Sequence, residues 1–199
     1  DHNGSRGLGD VYKRQRFYIM CMTMLAMPWI ATGSFVYQSF ISSSKEWGPY
    51  VIAQSFMAYS ILSVITLFIS GFLIDKFSSR KLLIYMNIPL LFGTIVLYYF
   101  NAPISSFVFF GLVGVTNGLA NVLGSSTWAE IYGVKYIGSI KALTTALMVF
   151  STAFGTALFG FLIDIGFSIE DIAVVSGTYI FGSIILLYLV KNKLNPHYL

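Results

Sequence analysis

The chain has 199 residues, 56% of them hydrophobic and only 10% charged, with a mean hydropathy of +0.76. Those values lie far from the soluble globular norm and define an integral membrane protein. The formal net charge of +4 is dispersed over short loops between apolar runs rather than gathered on a patch, which excludes a nucleic-acid partner. The single cysteine, Cys21, lies in an apolar run, so there is no disulfide framework and no Cys/His spacing for a metal. It reads as small core filler, and no metal or cofactor is expected.

Residues 1–15 are polar, Gly-rich and without hydrophobic period. The run Asp10-Val11-Tyr12-Lys13-Arg14-Gln15 resembles a translated adapter scar, and no initiator Met precedes it. The segment is expected to be disordered or foreign, on a chain truncated at its N-terminus. A natural basic tail beside a membrane helix is the other reading.

Six apolar runs follow at 17–41, 49–73, 82–100, 103–127, 138–163 and 172–190, and apart from Lys141 near the start of the fifth none contains a charged residue. Each is long enough to cross a hydrocarbon core of about 30 Å at about 1.5 Å per residue. Backbone groups in lipid must be paired within their own segment, so the runs are helices. Pro28 and Pro89 predict kinks. Residues 194–199 form a short tail.

Arg16, Lys76, Arg80, Lys81, Lys135, Lys141, Lys191 and Lys193 all fall on one side of this pattern. The other side holds Lys45 with Glu46, Asp164, Glu170 and Asp171. The positive-inside rule then places both termini in the cytoplasm of a multi-pass cell-membrane protein.

Gly71-Phe72-Leu73-Ile74-Asp75 recurs as Gly160-Phe161-Leu162-Ile163-Asp164, an offset of 89 residues. The same offset lays the second run on the fifth and the third on the sixth, and pairs Pro28 with Asn117 and Thr32 with Asn121. Three helices per copy is an odd number, so the copies insert with opposite orientation. This is the inverted repeat from which many secondary transporters are built.

The stretch Gly71-x-Leu73-x-Asp75-x-x-x-x-Arg80-Lys81 resembles the loop signature of the major facilitator superfamily, which joins the second and third helices of each six-helix half. The departure is at Ser78 and Ser79, where the family usually has a Gly, so a less regular turn is expected. The resemblance covers about residues 16–193. It implies an all-α membrane fold: six transmembrane helices as two inverted three-helix repeats, half of a twelve-helix bundle.

The fourth run lacks the Arg, and the fifth the Gly-Pro pair, usual in the family's N-terminal half. Trp128 to Gly133 and Gly138 to Ala142 resemble instead the turn between the tenth and eleventh helices. The chain also stops soon after its sixth run. It is therefore identified as the C-terminal half, with the N-terminal half as its missing partner; an N-terminal half cut at its central loop is the alternative. The last three helices resemble bacterial monocarboxylate and oxalate/formate carriers, which implies a bacterial inner membrane and a small organic anion as solute.

The resemblance further implies alternating access, with Gly71, Asp75, Lys76, Arg80 and Lys81 as a cytoplasmic gate. In the simpler reading the cations only enforce topology and Asp75 only caps a helix. The first and fourth helices are implied to line the central cavity, where Trp29, Thr32, Asn117 and Asn121 are the candidate substrate residues. Tyr37 and Gln38 are a candidate outer gate, or an interfacial anchor. Gly114-x-x-x-Gly118 reads as a close-packing seam.

Proton coupling by an intramembrane carboxylate cannot come from these runs. An enzyme is not expected, since the only histidines, His2 and His197, lie in the tails. A non-transporting six-helix scaffold or accessory subunit is the remaining alternative, with membrane lipid as surroundings in either case.

Overall fold

The computed structural model describes residues 15–48, 50–135 and 137–191. The expected tails, apart from Gln15, lie outside the described residues, as do His2, Pro49, Lys193 and His197. Six helical segments are long and apolar enough to cross a membrane, and no strand occurs among the described residues.

The first span is α1 (Gln15–Val36), separated by Tyr37 from the short α2 (Gln38–Ser44). The second is α3 (Val51–Phe77). The third is composite: α4 (Ser79–Leu82), a 3₁₀ turn (Leu83–Tyr85) and α5 (Ile88–Tyr99). The fourth, fifth and sixth are α6 (Pro103–Tyr132), α7 (Ile137–Asp164) and α8 (Ile169–Val190).

The second, fourth and sixth helices outrun their apolar stretches. Asp75, Lys76 and Glu130 ride on final turns, where the helix keeps its backbone bonds satisfied although the side chains are charged. At the start of α8, Ser168 and Asp171 cap each other: the Asp171 N–H donates to Ser168 Oγ (3.2 Å) and the Ser168 N–H to the Asp171 carboxylate (2.9 Å).

The kink expected at Pro89 is replaced by a break. Helical winding stops at Met86 and Asn87, and Pro89 occupies the first turn of α5, where its missing N–H costs nothing. Asn87 is fully buried at the break and donates from Nδ2 to the Thr23 carbonyl at 2.6 Å. Pro28, by contrast, stays inside α1 and deprives the Met24 carbonyl of its usual donor. Neighbouring spans bond to the carbonyls around it: Tyr179 Oη donates to Met22 (2.9 Å) and Ser151 Oγ to Leu25 (3.0 Å), alongside the Asn87 bond to Thr23. The first span is thus pinned from the third, fifth and sixth.

Burial sorts the helices by position. The apolar window of the first span is 72% buried, while those of the second and fifth are 11% and 22%. The second span packs on the fourth, the fifth on the first, and the third and sixth lie against each other and against the fourth and first. Exchanging the two repeats maps this set of pairs onto itself.

Glycine contacts reproduce the 89-residue offset at the level of single residues. A Cβ added at Gly118 would meet the Ser63 carbonyl at 2.6 Å and Thr66 at 2.7 Å. Thr66 and Gly118, moved by the offset, become Gly155 and Trp29, and a Cβ at Gly155 would sit 2.6 Å from the Trp29 Cα. Gly114 faces the Tyr59 carbonyl in the same seam as Gly118. Small residues therefore let the second and fourth spans, and again the first and fifth, approach backbone to backbone.

Two apolar cores stack along the bundle. One gathers Trp29, Trp47, Phe109, Phe110, Phe159 and Ile172 toward the acidic loops. The other gathers Phe17, Met20, Leu83, Met86, Trp128 and Ile140 toward the basic ones. These ends are called the acidic end and the basic end below.

Candidate functional site

At the basic end the chain turns at Ser78, whose φ of 70° and ψ of 142° suit glycine. The less regular turn expected here is this backbone excursion. It delivers Ser79 and Arg80 to Glu130 on the last turn of the fourth span. One Glu130 oxygen accepts from the Ser79 N–H (2.9 Å), the Ser79 hydroxyl (2.5 Å) and the Arg80 N–H (3.3 Å). Arg80 Nε lies 3.1 Å from the other. The carboxylate caps the start of the third span and neutralises a cation at once, in a setting where both side chains are about three-quarters buried.

Of the five signature residues, Arg80 alone enters this latch. Asp75 is exposed on the last turn of α3 and has no partner among the described residues. Lys76 lies over the Phe77 ring at 5.3 Å from its centroid, and Lys81 is exposed. A Cβ added at Gly71 would meet nothing within 4 Å among the described residues. Glu130 is the latch residue that sequence reasoning missed. Its signal was available: with Asp75 it is one of two carboxylates among basic-end turns that otherwise carry cations.

The acidic end has its own clasp. Lys45 has a fully buried side chain and donates to Glu170 (2.6 Å) and to the Asn101 side chain (2.7 Å). Trp47 Nε1 donates to the Asn101 carbonyl at 2.8 Å. Three connections are thereby joined: the one after the first span, the one after the third, and the start of the sixth.

Between the two ends, the candidate substrate residues separate. Trp29 is buried over Gly155, edge-on to Phe154, Phe159 and Tyr179, so it packs the first span against the fifth and sixth. Thr32 is half-buried and Asn121 exposed, at positions equivalent under the repeat. Asn117 Nδ2 donates to Ser63 Oγ across the helix seam (2.8 Å), and Asn121 Nδ2 to the Asn117 carbonyl (2.9 Å). Tyr37 stacks on Phe159 and fills the space over Gly160. Gln38 lines an open depression of about 440 Å³ with Ser39, Ser42, Ser43 and Trp47.

Six spans in two inverted repeats, tied at both ends and carrying amides on a central helix, define a polytopic membrane protein of the transporter class. The chain belongs to the Major Facilitator Superfamily, whose match spans residues 8–197. No curated protein and no solved structure matches it. The family consists of transporters rather than enzymes.

Proposed function

We propose that this chain is the C-terminal half of a secondary active transporter that moves a small organic anion by alternating access. A second six-helix bundle covers the least buried helices, the second and fifth, and the two halves rock about a site near mid-membrane. The basic end faces the cytoplasm of a bacterial inner membrane. Thr32, Asn117 and Asn121 contribute amide and hydroxyl donors to the solute, while any cationic anchor or proton-carrying carboxylate comes from the other half. The observation that carries this reading is the pseudo-symmetric packing of Thr66 on Gly118 and of Gly155 on Trp29, because inverted repeats are the construction that gives two equivalent gated states.

In this reading Gly71 and Asp75 are left open on the bundle because their partners belong to the other half. Asp75 accepts charge-assisted hydrogen bonds in the inward-closed state and loses them on opening. About 1–3 kcal/mol shifts a two-state equilibrium by one or two orders of magnitude. Uptake of a panel of mono- and dicarboxylates by the full-length parent in proteoliposomes tests the function. Asp75→Asn is expected to lower the uptake rate about tenfold at unchanged folded yield. Unchanged uptake would remove Asp75 from the gate, and a folded protein inert toward the whole panel would favour a scaffold or accessory role.

A further inference from the structure

Four of the chain's seven methionines and its one cysteine fall within residues 20–27 of the first span. A cavity at the basic-end side of the bundle brings Cys21 and Met24 of that stretch to Met86, at the break in the third span, and to Met148 on the fifth. Cys21, Met24 and Met86 are buried, and Met148 is exposed. Trp128 and Thr144 complete the polar part of the lining. Trp128 is fully buried, and its indole N–H has no acceptor.

The volume of about 30 Å³ admits one ion or one water and excludes an organic solute. Thr144 offers the only side-chain oxygen in the lining, and its hydroxyl already donates to the Lys141 carbonyl at 3.2 Å. A water would be short of side-chain partners there. Hard and borderline cations are no better served. No charged side chain lines the cavity, and no group of three or more His, Cys, Asp or Glu residues exists among the described residues. What the cavity does collect is one thiol and three thioethers, the donor set that selects a soft monovalent ion.

We propose that this cavity binds a single Cu(I)-like soft cation through Cys21, Met24, Met86 and Met148. On binding, the Cys21 thiol releases its proton to solution and the thiolate sulfur forms the bond to the metal. Cation and thiolate then make a neutral pair, which a span without other charges tolerates. The thiolate also gives the Trp128 N–H an acceptor. No redox step is involved, and the proposal stands whether or not the chain moves an organic anion.

The test is an anaerobic titration of the purified full chain in detergent with Cu(I), read by competition with a chromophoric Cu(I) chelator, and with Ag(I) as a redox-inert substitute. One equivalent is expected. Affinity should fall about tenfold or more in Cys21→Ser and in Met24→Leu combined with Met86→Leu. Met57→Leu, remote from the cavity, should leave it unchanged. Wild-type affinity should weaken as pH falls, because one proton is released, and Cys21→Ser should lose that dependence. X-ray absorption of the wild-type complex needs no variant, and a sulfur-only first shell is expected. Absence of competition, an oxygen or nitrogen shell, or equal affinity in the folded variants would overturn the site.

Discussion

Ser78 adopts a backbone conformation that L side chains rarely take, with φ at 70°. Such strain costs of order 1–3 kcal/mol when glycine would relieve it. Ser78→Gly is expected to stabilise the bundle by about 1 kcal/mol, seen as a higher midpoint in detergent unfolding; a lower midpoint would show that the hydroxyl outweighs the strain. Glu130 poses the opposite case, since its removal strands several donors. In Glu130→Ala the Ser79 and Arg80 N–H groups and the Arg80 guanidinium lose their acceptor, at a cost of about 1–2 kcal/mol after allowance for partial exposure. Glu130→Gln keeps an acceptor and should recover part of that loss in the same unfolding measurement. The irregular turn was legible in the sequence, because serines replace a glycine between Phe77 and Arg80. Its partner was not, since Glu130 is 50 residues from Arg80 and only packing of the second and fourth spans joins them.

Among the helices, number, order and repeat correspondence were legible because apolar length and a repeated pentapeptide are one-dimensional signals, whereas which spans pack together was not read from them. The break at Met86 was not, because it lies within an apolar run and its exposed backbone is compensated by burial and by a bond from Asn87 to another span. Helix ends also ran past the apolar limits, since charge ends a hydrocarbon span without ending a helix. Seams between elements carry the sharpest mechanical prediction. Gly118→Ala and Gly155→Ala each force two backbones apart and should destabilise by about 1–3 kcal/mol, by similar amounts because each lies in a contact that the repeat maps onto the other, with the glycine on the opposite partner. Gly182 meets nothing within 4 Å, so Gly182→Ala should be neutral or slightly stabilising by helix propensity. Detergent unfolding of the three variants under one condition is the measurement. A neutral Gly155→Ala beside a damaging Gly118→Ala would mean that the repeats pack with different tolerance and that the symmetry is only topological.

For the whole molecule, the clasp and the latch each engage one cation at their end of the bundle. Lys45, the cation of the acidic end, is fully buried against Glu170 and Asn101, which leaves Glu46, Asp164 and Asp171 to define that surface. Arg80 is held by Glu130, yet Lys76, Lys81 and Lys141 remain exposed at the basic end. Insertion follows the Lys and Arg count of the loops rather than the folded surface, and their excess at the basic end predicts that end inside. Cysteine labelling reads this directly, because the native thiol, Cys21, is buried and can be replaced by serine to clear the background. Ser44→Cys and Phe167→Cys sit exposed at the acidic end, and Phe77→Cys and Val134→Cys at the basic end, and none of the four alters a charge. A membrane-impermeant maleimide should label the first pair in intact cells and the second only after permeabilisation. Labelling in the reverse order would place Glu130 and the Asp75 turn outside, and would require the gate to be sought at the Lys45 clasp instead.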